Sequence, residues 1–242
     1  MYDSEQYASL NRWDSRHLET VKHHLDLKTG DRVLEVGCGR GHLTKRLRDF
    51  GADAIGIDSN PHAAANAVTS GVSTMLAESL QFPGASFDKV VSVHAIEHIP
   101  DIRGAFDEMA RVLKPGGRAL FIYPAEPIQG SWAIPTAIVL HGNPFKARQV
   151  HCQWLWPARL RAIAGPAGFS HVYSEFRLLS SPQFVSLFVR GSDVPPSDQP
   201  VDTRLRSVAP DRERAGADDE RTPSLARSLF ALLRKPALSE SD

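Results

Sequence analysis

Short apolar runs and amphipathic stretches take turns along this chain, and the alternation predicts its elements. A polar arm carrying Tyr2, Tyr7 and Trp13 comes first. Residues 14–27 then place Leu18, Val21, Leu25 and Leu27 at rough helical spacing. Residues 32–37 predict a first strand, 41–50 a helix, and AIGID a second strand ending at Asp58. Asn60-Pro61 has the form of an N-cap followed by proline at the first helical position. Residues 73–77 predict a short third strand, and residues 88–95, DKVVSVHA, a strand buried on both faces. A helix over 101–113 should stop at Lys114-Pro115-Gly116-Gly117, and RALFIYP should form a fifth strand. Strands alternating with helices at this spacing imply an α/β, doubly wound, mostly parallel sheet. After a helix over 157–165, HVYSEFRLL and QFVSLFVR follow with a short Ser-Pro loop between them. Such a loop requires an antiparallel hairpin.

Residues 125–156 break the rhythm with Trp132, Trp154, Trp156 and the apolar segment AIPTAIVL. The domain plan is therefore an arm and helix over 1–31, a main α/β domain over 32–191 with 125–156 as an insertion, and two further segments. Residues 192–223 are rich in proline and charge and poor in large apolar side chains, so disorder is expected there. Residues 224–238 predict a short basic amphipathic helix, with leucines on one arc and Arg227, Arg234 and Lys235 on the other. That helix could rest weakly on a membrane surface or dock on its own domain.

Composition narrows the function classes. Lys plus Arg and Asp plus Glu both number 28, so no basic footprint points to nucleic acid. With only Cys38 and Cys152 there is neither a disulfide framework nor metal-ligand spacing, and no metal is expected. Both cysteines read as small buried residues. The amino terminus lacks the form of a signal peptide, no run is long enough to span a bilayer, and a cytoplasmic location is expected.

The chemistry concentrates in residues 33–44, VLEVGCGRGHLT. Glycine at 37, 39 and 41 lets the backbone take positive φ and lets a ligand approach the main chain. The helix that follows would aim its first N–H groups at a ligand carboxylate or phosphate. Asp58 ends the next strand, where an acid can accept hydrogen bonds from both hydroxyls of a ribose, though an Asp there can also merely cap a turn. The spacing is not the GxGxxG that packs a pyrophosphate.

VLEVGCGRGHLT, GIDSNP, AESLQFPGASFDKVVSVHAIEHIPD and the RVLKPGG turn occur in this order over about residues 30–124. Together they resemble the successive motifs of class I S-adenosylmethionine-dependent methyltransferases, nearest to the ubiquinone and menaquinone type that acts on small molecules. The resemblance implies a seven-stranded Rossmann-like sheet of order 3-2-1-4-5-7-6. It implies S-adenosyl-L-methionine as cofactor, with Glu35, Gly37, Cys38, Gly39 and Gly41 around its methionine part. Asp58 and Ser59 would then meet the ribose, Ala77 and Glu78 the adenine, and His94 would lie near the methyl group. The chain departs from the family at Leu76, where Asp or Asn is common, and at Gln81, where Pro is usual.

In-line attack on the sulfonium methyl needs orientation and exclusion of water more than a metal. A histidine base helps if the acceptor is a phenol or an activated carbon. His94, His98 and His151 are the candidates, with a purely structural role for the Glu97-His98 pair as the other reading. Residues 125–156 leave the carboxyl end of the fifth strand, where open α/β sheets bind ligands. Tyr123, Trp132, His141 and Trp154 are accordingly expected at the pocket for a small, apolar or lipid-like acceptor, unless the tryptophans fill a core of their own. The rival readings are a nicotinamide-dependent oxidoreductase and a non-catalytic S-adenosylmethionine-binding regulator.

Overall fold

The computed structural model of the chain describes residues 16–125, 138, 142–143, 145, 151–178 and 182–192. In chain order its elements are α1 (Arg16–Leu25), β1 (Arg32–Val36), α2 (His42–Phe50), β2 (Asp53–Asp58), α3 (Pro61–Ala65) and β3 (Val72–Thr74). β4 (Phe87–Val93), a 3-10 turn (Ile96–His98), α4 (Ile102–Val112) and β5 (Leu113–Pro124) follow. After the insertion come α5 (Pro157–Ala164), a 3-10 turn (Gly165–Ala167), β6 (Phe169–Leu178) and β7 (Pro182–Arg190). The expected amphipathic helix over 224–238, the linker over 193–223, Trp132 and His141 lie outside the described residues. No helix among the described residues is long and apolar enough to cross a membrane.

The seven strands form one sheet in the order β3-β2-β1-β4-β5-β7-β6. β1 to β5 run parallel, and β7 is antiparallel to both β5 and β6. Two expected bounds shift for identifiable reasons. β3 ends at Thr74 because its partner is exhausted: the Met75 N–H bonds the carbonyl of Asp58, the last residue of β2. The Lys114–Gly117 turn lies inside β5, whose pairing with β4 jumps from Phe87–Leu113 to Lys89–Arg118, so the four residues loop out. Asn60 caps α3 as expected, its Oδ1 accepting from the His62 N–H at 2.9 Å.

Alternating residues of the central strands feed two cores. Leu34, Val36, Val90, Phe121 and Tyr123 pack with Phe106 and Met109 of α4 and Leu160 of α5. Val33, Val91, Leu120 and Ile122 pack with Val21 and Leu25 of α1 and Leu43 and Leu47 of α2. By this alternation Glu35 shares the α2 side of β1 with Val33, a buried acid on an otherwise apolar face. On the α4 side, Arg111 bonds Glu108 Oε1 at 2.7 Å and the carbonyls of Leu80 and Phe82 at 2.8 Å. Glu108 in turn accepts the Leu80 N–H at 2.9 Å. This buried network, fully paired at both ends, clamps the segment that carries Gln81 onto α4.

The β1 loop and the β4 loop meet at the carboxyl edge. Gly37 has φ +75°, and a β-carbon there would stand 2.1 Å from Ala95 Cβ. Gly30 has φ +87° with nothing within 4 Å of the same position. Gly30→Ala should therefore cost only the positive-φ penalty of about 1–2 kcal/mol. Gly37→Ala should add an overpacking cost of about 1–3 kcal/mol. Urea unfolding midpoints of the two variants check this; equal losses would mean the loops part without strain.

Candidate active site at the carboxyl edge of the sheet

The glycine loop satisfies its own backbone. The N–H groups of Gly37 and Cys38 both bond the Ile57 carbonyl, at 2.8 and 2.9 Å, and Gly41 N–H bonds Cys38 O at 2.9 Å. Gly39 N–H bonds Asp58 Oδ2 at 2.7 Å. These four donors are therefore spent within the protein. One of the first N–H groups of α2 is taken as well. Glu35 sits there, accepting hydrogen bonds from the Thr44 hydroxyl and the Thr44 backbone N–H. A protein carboxyl thus occupies the positive end of the helix. Thr44 can come this close because Gly56 has no side chain: a β-carbon there would lie 2.5 Å from the Thr44 hydroxyl.

What the edge offers instead is acidity. Burial pushes the Glu35 carboxyl up to about 8, with the Thr44 hydrogen bonds opposing and the charge of Asp58 adding to the rise. Burial likewise raises Asp58, against hydrogen bonds from the N–H groups of Asn60 and Gly39. The buried Cys38 thiol is raised by burial and by both acids. No cationic side chain offsets any of these three shifts. The pocket is therefore short of positive charge. It suits a ligand that brings its own cation and hydroxyls, and offers a pyrophosphate no cationic partner.

An S-adenosylmethionine molecule, with an ammonium, a sulfonium and a ribose diol, meets those requirements. Glu35 would be the acid for the ammonium. Asp58 keeps lone pairs beyond its bonds to Gly39 and Asn60 (2.8 Å) for ribose hydroxyls. Ser59 is exposed beside it. Past β3, Ala77 is buried and Glu78 half-buried with its carboxyl raised by burial, while Leu76 is 51% exposed. The departure at Leu76 therefore leaves an apolar surface where the resemblance puts the adenine.

His94 follows β4 at φ +51°, unusual for a residue other than glycine and a form of strain often found at functional sites. Its Nε2 lies 2.7 Å from Gln183 Oε1 and its Nδ1 3.7 Å from Glu97 Oε1, and the ring of His17 packs edge-on at 5.7 Å. Both ring nitrogens face protein groups, so in this conformation His94 orients the Glu97 carboxylate rather than opening toward an acceptor. Burial by itself would raise Glu97. The facing His94 imidazole and the charges of His98, His94 and His151 outweigh it and hold the carboxyl at about 2.

His98 and His151 come together across the chain, their rings 4.8 Å apart. Cys152 is exposed rather than buried, because the segment lies over the 3-10 turn with its thiol 3.5 Å from the Glu97 carbonyl. Tyr123 is fully buried, its hydroxyl 2.9 Å from Ser186, which places it in the core between α4 and the sheet rather than on an acceptor surface. Trp154 is 38% exposed. Sequence reasoning missed Thr44, Gln183, His17 and the metal-like company of Glu97. Of these only Glu97 carried a local signal, an acid in an otherwise apolar turn.

A family model described as a methyltransferase domain matches residues 7–174, more than half of the chain. The sterol 24-C-methyltransferase of Aspergillus fumigatus is 35% identical over 114 residues, 43% of this chain and 30% of that protein. The ubiquinone biosynthesis O-methyltransferase of Idiomarina loihiensis is 28% identical over 179 residues, 69% and 73% of the two chains. The chain thus spans about a third of the length of the sterol enzymes it matches. Among solved structures, phosphoethanolamine N-methyltransferase 2 of Haemonchus contortus, in complex with S-adenosyl-L-methionine, shares the fold with a TM-score of 0.61 at 18% identity. That match covers 78% of this chain and 59% of the other. The nicotinamide-dependent alternative gains nothing from these likenesses, and the extent of the family match decides the assignment: this chain belongs to the methyltransferase-domain family.

Proposed function

We propose that the protein transfers the methyl group of S-adenosyl-L-methionine to a small, apolar or lipid-like acceptor. One observation carries the cofactor half of this reading: the buried Glu35 and Cys38 and the half-buried Asp58 stand together at the sheet edge, and no cationic side chain offsets their shifts. The sulfonium makes the methyl carbon electrophilic. The acceptor atom attacks it in line, the carbon–sulfur bond breaks, and the electron pair stays on sulfur as S-adenosylhomocysteine leaves. This chain's residues hold the ammonium and ribose, and the loops around 94–99 and 151–156 exclude water from the attack line.

The acceptor half is supported by the apolar side chains left exposed after β5, among them Ile138, Phe145, Trp154 and Trp156. It is also supported by the relatives, a sterol 24-C-methyltransferase and a ubiquinone biosynthesis O-methyltransferase. The unpaired cysteines Cys38 and Cys152 suit a reducing, cytoplasmic setting.

Calorimetry distinguishes the donor from its rival: S-adenosylhomocysteine should bind and NADH should not, and the converse result ends the proposal. Asp58→Ala should lower that affinity at least tenfold through loss of the ribose contact.

Glu35 gives a test by pH. Its folded-state carboxyl titrates near 8, above the ordinary 4.5. Its contribution to stability is therefore complete below about pH 4.5 and disappears as pH rises through 8. In Glu35→Gln the fall in unfolding midpoint over that interval should flatten. The ligand ammonium favours the ionised carboxylate, so binding near neutral pH should release about one proton in the wild type and none in the variant. Calorimetry in buffers of differing ionisation enthalpy reads this, and identical proton release in both proteins would remove Glu35 from the site.

Trp154→Ala should leave S-adenosylhomocysteine affinity unchanged and lower turnover of a labelled methyl group with a lipid extract as acceptor. Loss of both, or of neither, would contradict an acceptor-side role.

A further inference from the structure

Glu97, His98 and His151 each turn one ligand-type atom toward a common point, and the three atoms lie within 4.8 Å of one another. Two of these residues come from the 3-10 turn after β4 and the third from the segment before α5. The two pieces are tied backbone to backbone, the Gln153 N–H bonding the Glu97 carbonyl at 3.0 Å. The Gln153 side chain fastens the same join, its amide donating to the carbonyls of Ile99 at 3.2 Å and Pro100 at 3.1 Å. The cluster is thus held by a scaffold and not by chance contact of surface side chains. Glu97 is 1% exposed and His151 4% exposed. Independently, Glu97 Oε2 is buried without a hydrogen-bond partner in the structure. Native proteins seldom leave such an oxygen unmatched, and a water, an ion or a ligand commonly completes it; beside two imidazoles, a metal ion is one that all three side chains can share.

We infer that Glu97, His98 and His151 form a binding site for a single first-row divalent transition-metal ion. The donor set decides the class. Two imidazoles and one carboxylate suit zinc, iron, cobalt, nickel or manganese, whereas magnesium and calcium take oxygen ligands almost alone. Bonds of about 2.1 Å set adjacent ligand atoms roughly 3–3.5 Å apart, so the widest separation in the cluster, within 4.8 Å, needs a contraction of at most about 1.5 Å, within reach of side-chain rotation. His94, facing the same carboxylate, stands as its outer partner; metal-site carboxylates are themselves commonly hydrogen-bonded. Three protein ligands leave coordination positions for water. On the methyl-transfer reading above, an acceptor oxygen could take one of them, since the Gly37–Ala95 contact brings this turn beside the glycine loop.

The test needs neither donor nor acceptor, so its outcome is separate from that of the methyl-transfer reading. The full chain is stripped with a chelator and titrated with Co2+, following visible d–d absorption, and then with Zn2+ in competition. One equivalent should bind with micromolar or tighter affinity, and Mg2+ should not displace it. His98→Ala and His151→Ala should each weaken binding at least tenfold, while the exposed His62→Ala leaves it unchanged. Glu97→Gln preserves the side-chain shape and should also weaken it, which guards against variants that lose their fold. Absence of stoichiometric binding by the wild type overturns the site, as does binding that neither histidine variant alters.

Discussion

The functional edge of this protein depends on the close approach of two loops that leave neighbouring parallel strands. Gly37 and Ala95 are so near that no β-carbon fits at position 37. Because β1 and β4 pair directly, the loops after them must emerge side by side, and the missing side chain lets them touch. That contact brings the acids Glu35 and Asp58 into the same neighbourhood as His94, Glu97 and His98. The glycine at 37 is thus required for packing between loops, although from sequence it reads as an opening for a ligand.

The chemistry of that edge follows from where charge is left uncompensated. On the β1–β2 side, the buried Glu35 and the half-buried Asp58 stand without a cation, and their carboxyls rise. On the β4 side, a buried acid is surrounded by three imidazoles, and its carboxyl falls. Carboxyl groups within one edge thus have opposite environments: those of the first half lack a cation, and that of the second is an anion among nitrogen donors. A sheet whose parallel strands all end on one side makes this division natural, since each loop brings its own electrostatic surroundings.

Much of the fold was legible. The strand and helix periods, the Asn60-Pro61 start and the terminal hairpin derive from interactions within a few residues and appear where expected, and the Lys114–Gly117 turn forms at its place although it loops out of β5 instead of preceding it. The acids at the ends of β1 and β2 were legible for the same reason, because position on a strand sets position at the sheet edge. Tyr123 was misplaced: next to the insertion in sequence, it alternates inward and bonds Ser186 of a strand far along the chain. Cys152 was misplaced because its exposure depends on how the 151–153 segment lies across the 3-10 turn.

The sequence by itself determined the class of fold, the family motifs and the two strand-end acids, since hydrophobic period, turn chemistry and strand ends are local properties of a chain. Only the tertiary structure decided which donors remain for a ligand. It showed that loop N–H groups are consumed by Ile57 and Asp58, and that Glu35 takes the helix end through Thr44. It also brought His151 to Glu97 and His98, a meeting no spacing encodes, because it is made by two hydrogen-bonded segments from distant parts of the chain.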